Sequence, residues 1–354
     1  MTKAAELAKM GEVLTNSQIG GRRNIIINGA MQVAQRGTSI AVSSTAVYTL
    51  DRFSAHKDTN TMTATQASDA PTGFEYSLKL TNGTGASPSS SDINCITYSV
   101  EGYDSTQLEI GTTNAKKVTL SFHVKSSITG TYVVGFLDSG NDNGYIADYT
   151  INSANTWEKK TITLTMSDYG SWVGSSTNGT NLILHWDLNS GSDRDVSSVN
   201  VWNDGASNDF SHSSQVDWVG TTGSTFYLTG VQLEVGSQAT PFEHRSFGEE
   251  LGLCQRYFEL LNGGIAMGAS DSATTTQASV QYKQSKRAGA TIAKSGTVYA
   301  NDGATQGTVS GVANSKDFTG GVLITFTTSS ISNNEVIFIY ANNEADGITA
   351  DAEL

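Results

Sequence analysis

The chain has 354 residues, 21 Lys+Arg against 34 Asp+Glu, and a net charge of −13, a length that can hold two or three domains. Its basic residues never gather into a run longer than pairs such as Arg22–Arg23 or Lys286–Arg287, which argues against a nucleic-acid partner, because phosphate neutralisation supplies most of that affinity. No apolar run approaches the roughly 18 residues of a membrane span, so membrane insertion is not expected. Met1–Ile19 lacks the apolar core of a signal peptide, and synthesis in a cytosol is the expectation. With 16% charged and 37% hydrophobic residues and abundant Gly, Ser, Thr and Asn, the composition suits a many-stranded β-protein with polar turns.

Residues 1–19, MTKAAELAKMGEVLTNSQI, predict a short helix over Ala4–Leu14 with Ala4, Leu7, Met10 and Leu14 as its apolar stripe. Such a helix is marginal alone in water and needs a partner, which makes Leu7 and Leu14 candidate attachment or oligomer contacts; a frayed terminus is the alternative reading. Gly20–Gly21 reads as a hinge, Ile25–Ile27 as a short buried strand, and Asn28–Gly29 as a turn able to take positive φ. Arg36, Asp51, Arg52 and Arg245 are expected to fasten loops through salt bridges.

Alternating segments follow. Phe74, Tyr76, Leu78 and Leu80 share one face, as do Ile96, Tyr98 and Val100. In Lys116–Val124 the residues Val118, Leu120, Phe122 and Val124 point one way and Thr119, Ser121 and His123 the other, which predicts one buried and one wet face. Tyr132–Leu137, Trp157–Met166 and Asn181–Leu188 continue the series, and Trp157 and Trp186 are expected in the core. Strands of this length between Gly/Asn/Asp/Ser clusters predict a mainly β antiparallel sandwich.

Phe226 and Leu228 share one phase, and Val231, Leu233 and Val235 the opposite one, so a β-bulge is expected at Gly230. Ser246 and Glu249 stand three apart as in a capping box, predicting a connecting helix over 246–261. Cys95 and Cys254 both fall in apolar patterns and predict two buried free thiols. From Asn262 to Leu354, four or five strands are expected around Val280–Tyr282, Thr297–Tyr299, Val322–Phe326 and Val336–Tyr340. So few large aliphatics make a thin core, which predicts burial against another subunit.

Two motifs, RNIIINGAMQVAQRGTS (Arg23–Ser39) and GVQLEVGSQATPFEHRSFGEELGLCQRYFE (Gly230–Glu259), resemble those of a family of tail-fibre and fibre-like structural proteins of tailed phages and prophages. The resemblance covers residues 20–260. It implies a virion protein, a homotrimer attached to phage tail or capsid proteins by its N-terminal segment (1–23), with a sandwich body (24–245) and a distal C-terminal β domain (262–354) that contacts the host surface. The stretch TINSANTWEKKTITLTM and the later FYLTGVQLEVG also look like the jelly rolls of non-catalytic carbohydrate-binding modules. Host-surface glycan is therefore the implied ligand class.

Sugar binding needs aromatic faces beside hydrogen-bonding groups, and Trp172, Trp202, Tyr145 and Tyr169 lie in polar segments as candidates. The five histidines form no HxH or HxxxH pair, which argues against zinc. No cofactor is expected beyond calcium, for which Asp138, Asn141 and Asp142 are weak candidates in one loop, and ordinary turn chemistry is the competing reading. There is no GxSxG, P-loop or GxGxxG; Asp187 is the only acid to nominate for glycan cleavage, with Asp148 or Glu158 beside it. The expectation is a non-enzymatic adhesion protein. The alternatives are a capsid-attached fibre or decoration protein, and a depolymerase.

Overall fold

The structure is a computed structural model that describes Lys3 and residues 22–59, 61–204, 209–329 and 331–354. The helix expected over Ala4–Leu14, with Leu7 and Leu14, lies outside the described residues. The chain divides into a first unit that ends at Arg245 and a second formed by Ser246–Leu354 together with Gln35–Gly37.

The first unit contains β1 (Ser39–Val42), β2 (Val47–Tyr48), β3 (Phe53–Lys57), β4 (Met62–Ala67), β5 (Ser77–Asn82), β6 (Asn94–Glu101), β7 (Lys117–Ser126), β8 (Gly130–Leu137), β9 (Asn143–Ile151), β10 (Glu158–Thr165), β11 (Thr180–Asp187), β12 (Trp202–Asp204) and β13 (Thr225–Val235). They form the expected antiparallel sandwich, one sheet in the order β1-β4-β5-β13-β7-β10 and the other β12-β9-β8-β11-β6-β3-β2. Alternation places Leu120, Phe122 and Val124 of β7 and Leu78 and Leu80 of β5 in the core, facing Tyr98 of β6 and Leu184 and Trp186 of β11, all but fully buried. Phe122 meets Trp186 edge-on at 5.8 Å.

Several expectations change at this level. Thr119 and Ser121, expected wet, are buried; β7 is paired on both sides, by β13 and β10, and Thr119 Oγ1 donates to the Gly236 carbonyl at 2.9 Å. Phe74 lies before β5 and packs on Phe242, His244 and His123. Trp157 is only part-buried; it sits outside the core against Tyr227 and donates to Asp69.

The bulge stands where expected. Gly230 takes φ +62°, and the pairing of β13 with β7 shifts between Thr229 and Gln232, so both hydrophobic phases reach the core. Beyond the bulge, Ile25–Ile27 runs alongside β13, fully buried but not as a strand. The Asn24 side chain takes over the ladder, accepting from Leu233 N and donating to the Val231 carbonyl. Gly29 is required by close approach, since a Cβ there would lie 2.2 Å from the Val231 carbonyl oxygen, while Asn28 supplies the positive φ.

The arginines act mainly on carbonyls. Arg245 donates to Ile26 O and Asn24 O, and buried Arg52 donates to Ser99 O at 2.6 Å. Arg36 pairs with the carboxylates of Asp351 and Glu353 and stacks on Phe258 in the second unit, and Arg245 also lies 3.9 Å from Glu243.

The second unit opens with α1 (Phe247–Gln255), whose Ser246 cap accepts from Glu249 N at 3.3 Å. The helix ends sooner than expected: Phe258–Leu261 is a strand, β14, because pairing with β22 (Gly347–Asp351) and burial of Phe258 and Leu261 outweigh local helix preference. The other strands are β15 (Gly264–Ser272), β16 (Thr275–Gln281), β17 (Thr291–Ser295), β18 (Tyr299–Asn301), β19 (Gln306–Phe318), β20 (Gly321–Thr328) and β21 (Val336–Tyr340). Six of them close into a barrel, β15-β16-β20-β19-β18-β21, beside a three-stranded sheet β14-β22-β17.

The second unit has a core of its own, with Val280, Val298, Val322, Ile324, Phe326 and Ile339 packed inside. Lys286 Nζ and Glu259 Oε2 form a fully buried ion pair at 2.8 Å, and burial, opposed by Glu259, lowers the Lys286 pKa.

Candidate functional site

Three of the four aromatic candidates gather at the open edge of the sandwich. Trp202 pairs directly with Tyr145 across β12 and β9, and Phe136 of β8 stands opposite Tyr145 on its other side. The Tyr145 and Trp202 rings lie 5.4 Å apart and Trp172 meets Trp202 at 5.9 Å. Tyr169 enters through its backbone, its carbonyl accepting from Trp172 N. The indole N–H of Trp172 donates to Asn181, and that of Trp202 donates to the Thr165 carbonyl at 3.0 Å. With both indole donors used, the described residues of this cluster offer a ligand ring faces, the Tyr145 hydroxyl and the exposed Val173 and Val201 beside them.

The Asp138 loop adjoins this cluster. Asp138 is fully buried and its carboxylate accepts from Gly140 N, Asp142 N, Asn143 Nδ2 and Val173 N, tying its own turn to the loop that carries Trp172. It acts as the hub of a turn. Asn141 takes the left-handed conformation of that turn. Among the described residues no group of three or more His, Cys, Asp or Glu gathers to hold a metal ion.

A concave site lies elsewhere in the first unit, and sequence reasoning missed it. After β6 the chain makes a helical turn, Gly102–Ser105, and a 3₁₀ turn, Thr106–Leu108. Leu108 anchors this corner in the core, and Tyr103 N donates to the Thr177 carbonyl at 2.8 Å. Gly102 approaches so closely that a Cβ would lie 2.2 Å from the Ser175 carbonyl oxygen. The corner forms one wall of a cavity of about 500 Å³; Arg22, Asn24, Ile25, Ile27 and Arg245 form the other.

Tyr103 stands 61% exposed at the mouth, with Asp104, Thr106 and Gln107 exposed beside it. The volume falls in the roughly 300–1,000 Å³ range of small-molecule sites. The lining combines an aromatic face, an amide, a hydroxyl, a carboxylate and two guanidiniums. The only sequence signal was an aromatic in a polar turn, which many surface turns share.

No protein-family model and no curated protein matches this sequence. Among solved structures, the chain is similar to the enzymatically active domain of tailspike protein 4 from bacteriophage CBA120, at TM-score 0.31 and 13% identity over 60% of this chain and 21% of that one. It is similar to a family 11 carbohydrate-binding module from Clostridium thermocellum, solved with a mixed-linked tetrasaccharide, at TM-score 0.30 and 8% identity over 58% of this chain and 99% of that one. A protein from Bacteroides thetaiotaomicron VPI-5482, named a putative sugar binding protein, gives TM-score 0.34 and 11% identity over 60% of this chain and 100% of that one. The chain thus spans about a fifth of the tailspike domain's length. At these values the fold assignment rests on the strand orders themselves.

The acids nominated for cleavage are each engaged in structural bonding. Asp187 is fully buried and accepts from Ser190, Asn189, Ser211 and Gln215, with His185 Nε2 3.5 Å away. Burial alone pushes its pKa up, yet His185 and Ser190 hold it below the ordinary carboxylate value. Asp148 accepts from Asn200. Glu158 accepts from Asn152, Ser153 and Lys160. Cys95 and Cys254 are both buried free thiols, as expected, and burial pushes the Cys95 pKa well up.

Proposed function

We propose that this chain is a non-catalytic adhesion subunit of a virion fibre that holds host-surface glycan non-covalently in the cavity beside Tyr103. The lining of that cavity carries the reading. A sugar ring presents an apolar face that packs on an aromatic and a rim of hydroxyls that pair with amide, hydroxyl, carboxylate and guanidinium groups. Tyr103, Gln107, Thr106, Asp104 and Arg22 bring those groups to one concavity.

The virion setting is supported by the resemblance of Arg23–Ser39 and Gly230–Glu259 to phage fibre proteins. Part of both motifs closes one flank of the sandwich: Asn24 and Gly29 from the first bond to Val231 and Leu233 from the second. On this reading the N-terminal segment attaches to tail or capsid proteins, the fibre is a homotrimer, and weak sugar contacts are multiplied by copy number.

The test is equilibrium binding of purified host polysaccharide, with adsorption to host cells in parallel. Tyr103→Ala combined with Gln107→Ala removes two exposed side chains and leaves the core untouched. We expect at least a roughly tenfold weaker affinity, about 1.4 kcal/mol, with an unchanged unfolding midpoint. Undiminished binding by the double variant discards the cavity as the sugar site.

A further inference from the structure

We infer that the solvent face of the six-stranded sheet carries a binding site for an acidic saccharide, held by Lys79, Lys159 and the hydroxyl of Tyr227. The registers draw one row across the strands: Thr65 of β4 pairs with Lys79 of β5, Lys79 with Tyr227 of β13, and Tyr227 with Lys125 of β7. Glu158 pairs with Val124, which brings Trp157 beside Lys125 at the end of the row. Because Leu78, Leu80, Phe226, Leu228 and Val124 are in the core, Lys79, Tyr227 and Lys125 alternate onto the opposite face. Two residues along, exposed Lys159 of β10 pairs with His123, on the same face as Lys125.

The rings hold the cations in place. Lys79 and Lys125 lie 5.4 Å and 4.2 Å from the centre of the Tyr227 ring, so the two ammoniums stand within about 10 Å of each other. Trp157 meets Tyr227 edge-on at 5.9 Å and lies 5.3 Å from the Lys125 ammonium. A ring that fixes a flexible lysine stem removes part of the entropy that anion binding would otherwise cost. Asp69 shows what the row accepts: its carboxylate pairs with Lys125 and takes the Trp157 indole N–H at 3.1 Å. That satisfies Lys125. Among the described residues, no hydrogen bond or close ion pair engages the Lys79 or Lys159 ammonium or the Tyr227 hydroxyl.

Charge and backbone select the ligand. The chain carries −13, so an anion is repelled by most of its surface and favoured where ammoniums outnumber open carboxylates. The acids near this row are engaged: Asp69 by Lys125, Glu75 against the Tyr76 hydroxyl, and buried Glu234 by Gln232 and Thr240. Strands β5, β13 and β7 are paired on both sides, so a peptide finds no edge here for main-chain bonding. Three ammoniums are too few for the phosphate neutralisation that nucleic acid requires. A sugar of the uronate class supplies a carboxylate to each open ammonium and hydroxyls to Tyr227 and Thr65.

This site rests on the proposed function for the saccharide class alone and is separate from the cavity. It is tested by equilibrium binding of polygalacturonate to the full chain, beside the same polymer with its carboxylates reduced to alcohols. The wild type is expected to bind the acidic polymer at least about tenfold more tightly than the reduced one, and more weakly as salt rises. Lys79→Gln combined with Lys159→Gln changes two side chains outside the core and should weaken that binding at least about tenfold with an unchanged unfolding midpoint. Tyr103→Ala combined with Gln107→Ala should leave it intact, so failure of this face and failure of the cavity are told apart. No binding of the acidic polymer, equal binding of its reduced form, or undiminished affinity in the lysine variant overturns the inference. Polyglutamate binding as tightly as polygalacturonate overturns it too and assigns the face to acidic peptide, and loss of binding in the Tyr103 variant alone overturns it by assigning the polymer to the cavity.

Discussion

Glu158 shows how one carboxylate sets a local turn. Its oxygens accept from Asn152 N, Ser153 N and Asn152 Nδ2, closing the connection from β9 to β10, and pair with Lys160. Burial pushes its pKa up, but these bonds together bring it down to about 2 from an ordinary value of 4.5. A depressed carboxylate contributes stability that is complete above its unfolded pKa and is lost as pH falls through the folded one. The unfolding-midpoint gap between wild type and Glu158→Gln should therefore be full at pH 6 and shrink between about pH 4.5 and 2. A constant gap would show that the bonds do not depend on ionisation.

At Gly230, Ala would have to hold φ +62° with its Cβ 2.7 Å from the Phe74 ring and 2.8 Å from His123 Nδ1. Denaturant titration should show a loss of more than about 1 kcal/mol. This glycine was legible in the sequence because the hydrophobic phase slips there. Tyr103 was not, since its role comes from Arg22–Ile27 and Arg245 arriving on the opposite wall of the cavity, which no local pattern records.

At the scale of elements, the sandwich strands were legible because large residues such as Val118, Leu120, Phe122 and Val124 alternate with polar ones. The barrel strands were harder. β15 is GIAMGASDS and β16 TTQASVQ, where Gly, Ala, Ser and Thr occupy both faces and period-two contrast fades. Closure arises from pairings such as Val280↔Val322, distant in sequence, and with it the core of the second unit. The end of α1 was misjudged for a related reason, as β14 exists only because β22 pairs with it.

β14 also carries Glu259, whose buried pairing with Lys286 ties it to the chain after β16. Glu259→Gln leaves the ammonium buried without its counter-charge and should destabilise the second unit by about 3–5 kcal/mol in equilibrium unfolding. Glu259→Leu combined with Lys286→Met should recover most of that loss, because a buried ion pair adds little over well-packed apolar groups. No recovery would mean that Lys286 matters chiefly through its bond to the Gln255 carbonyl.

The molecule as a whole combines an antiparallel sandwich bearing a polar, aromatic-edged cavity with a closed barrel. The cavity suits weak sugar contacts, which copy number would multiply on the proposed reading. The aromatic edge of Trp172, Trp202 and Tyr145, read from the sequence as a sugar platform, has both indole donors satisfied within the protein. The two places make opposite predictions for ligand-induced change. The decisive measurement is NMR of the full chain with labelled Tyr and Trp side chains, titrated with host-surface polysaccharide. A saturable shift of the Tyr103 ring with the Trp172 and Trp202 indoles unmoved is expected; an unperturbed Tyr103, or shifts confined to the two tryptophans, would rule out the cavity as the sugar site.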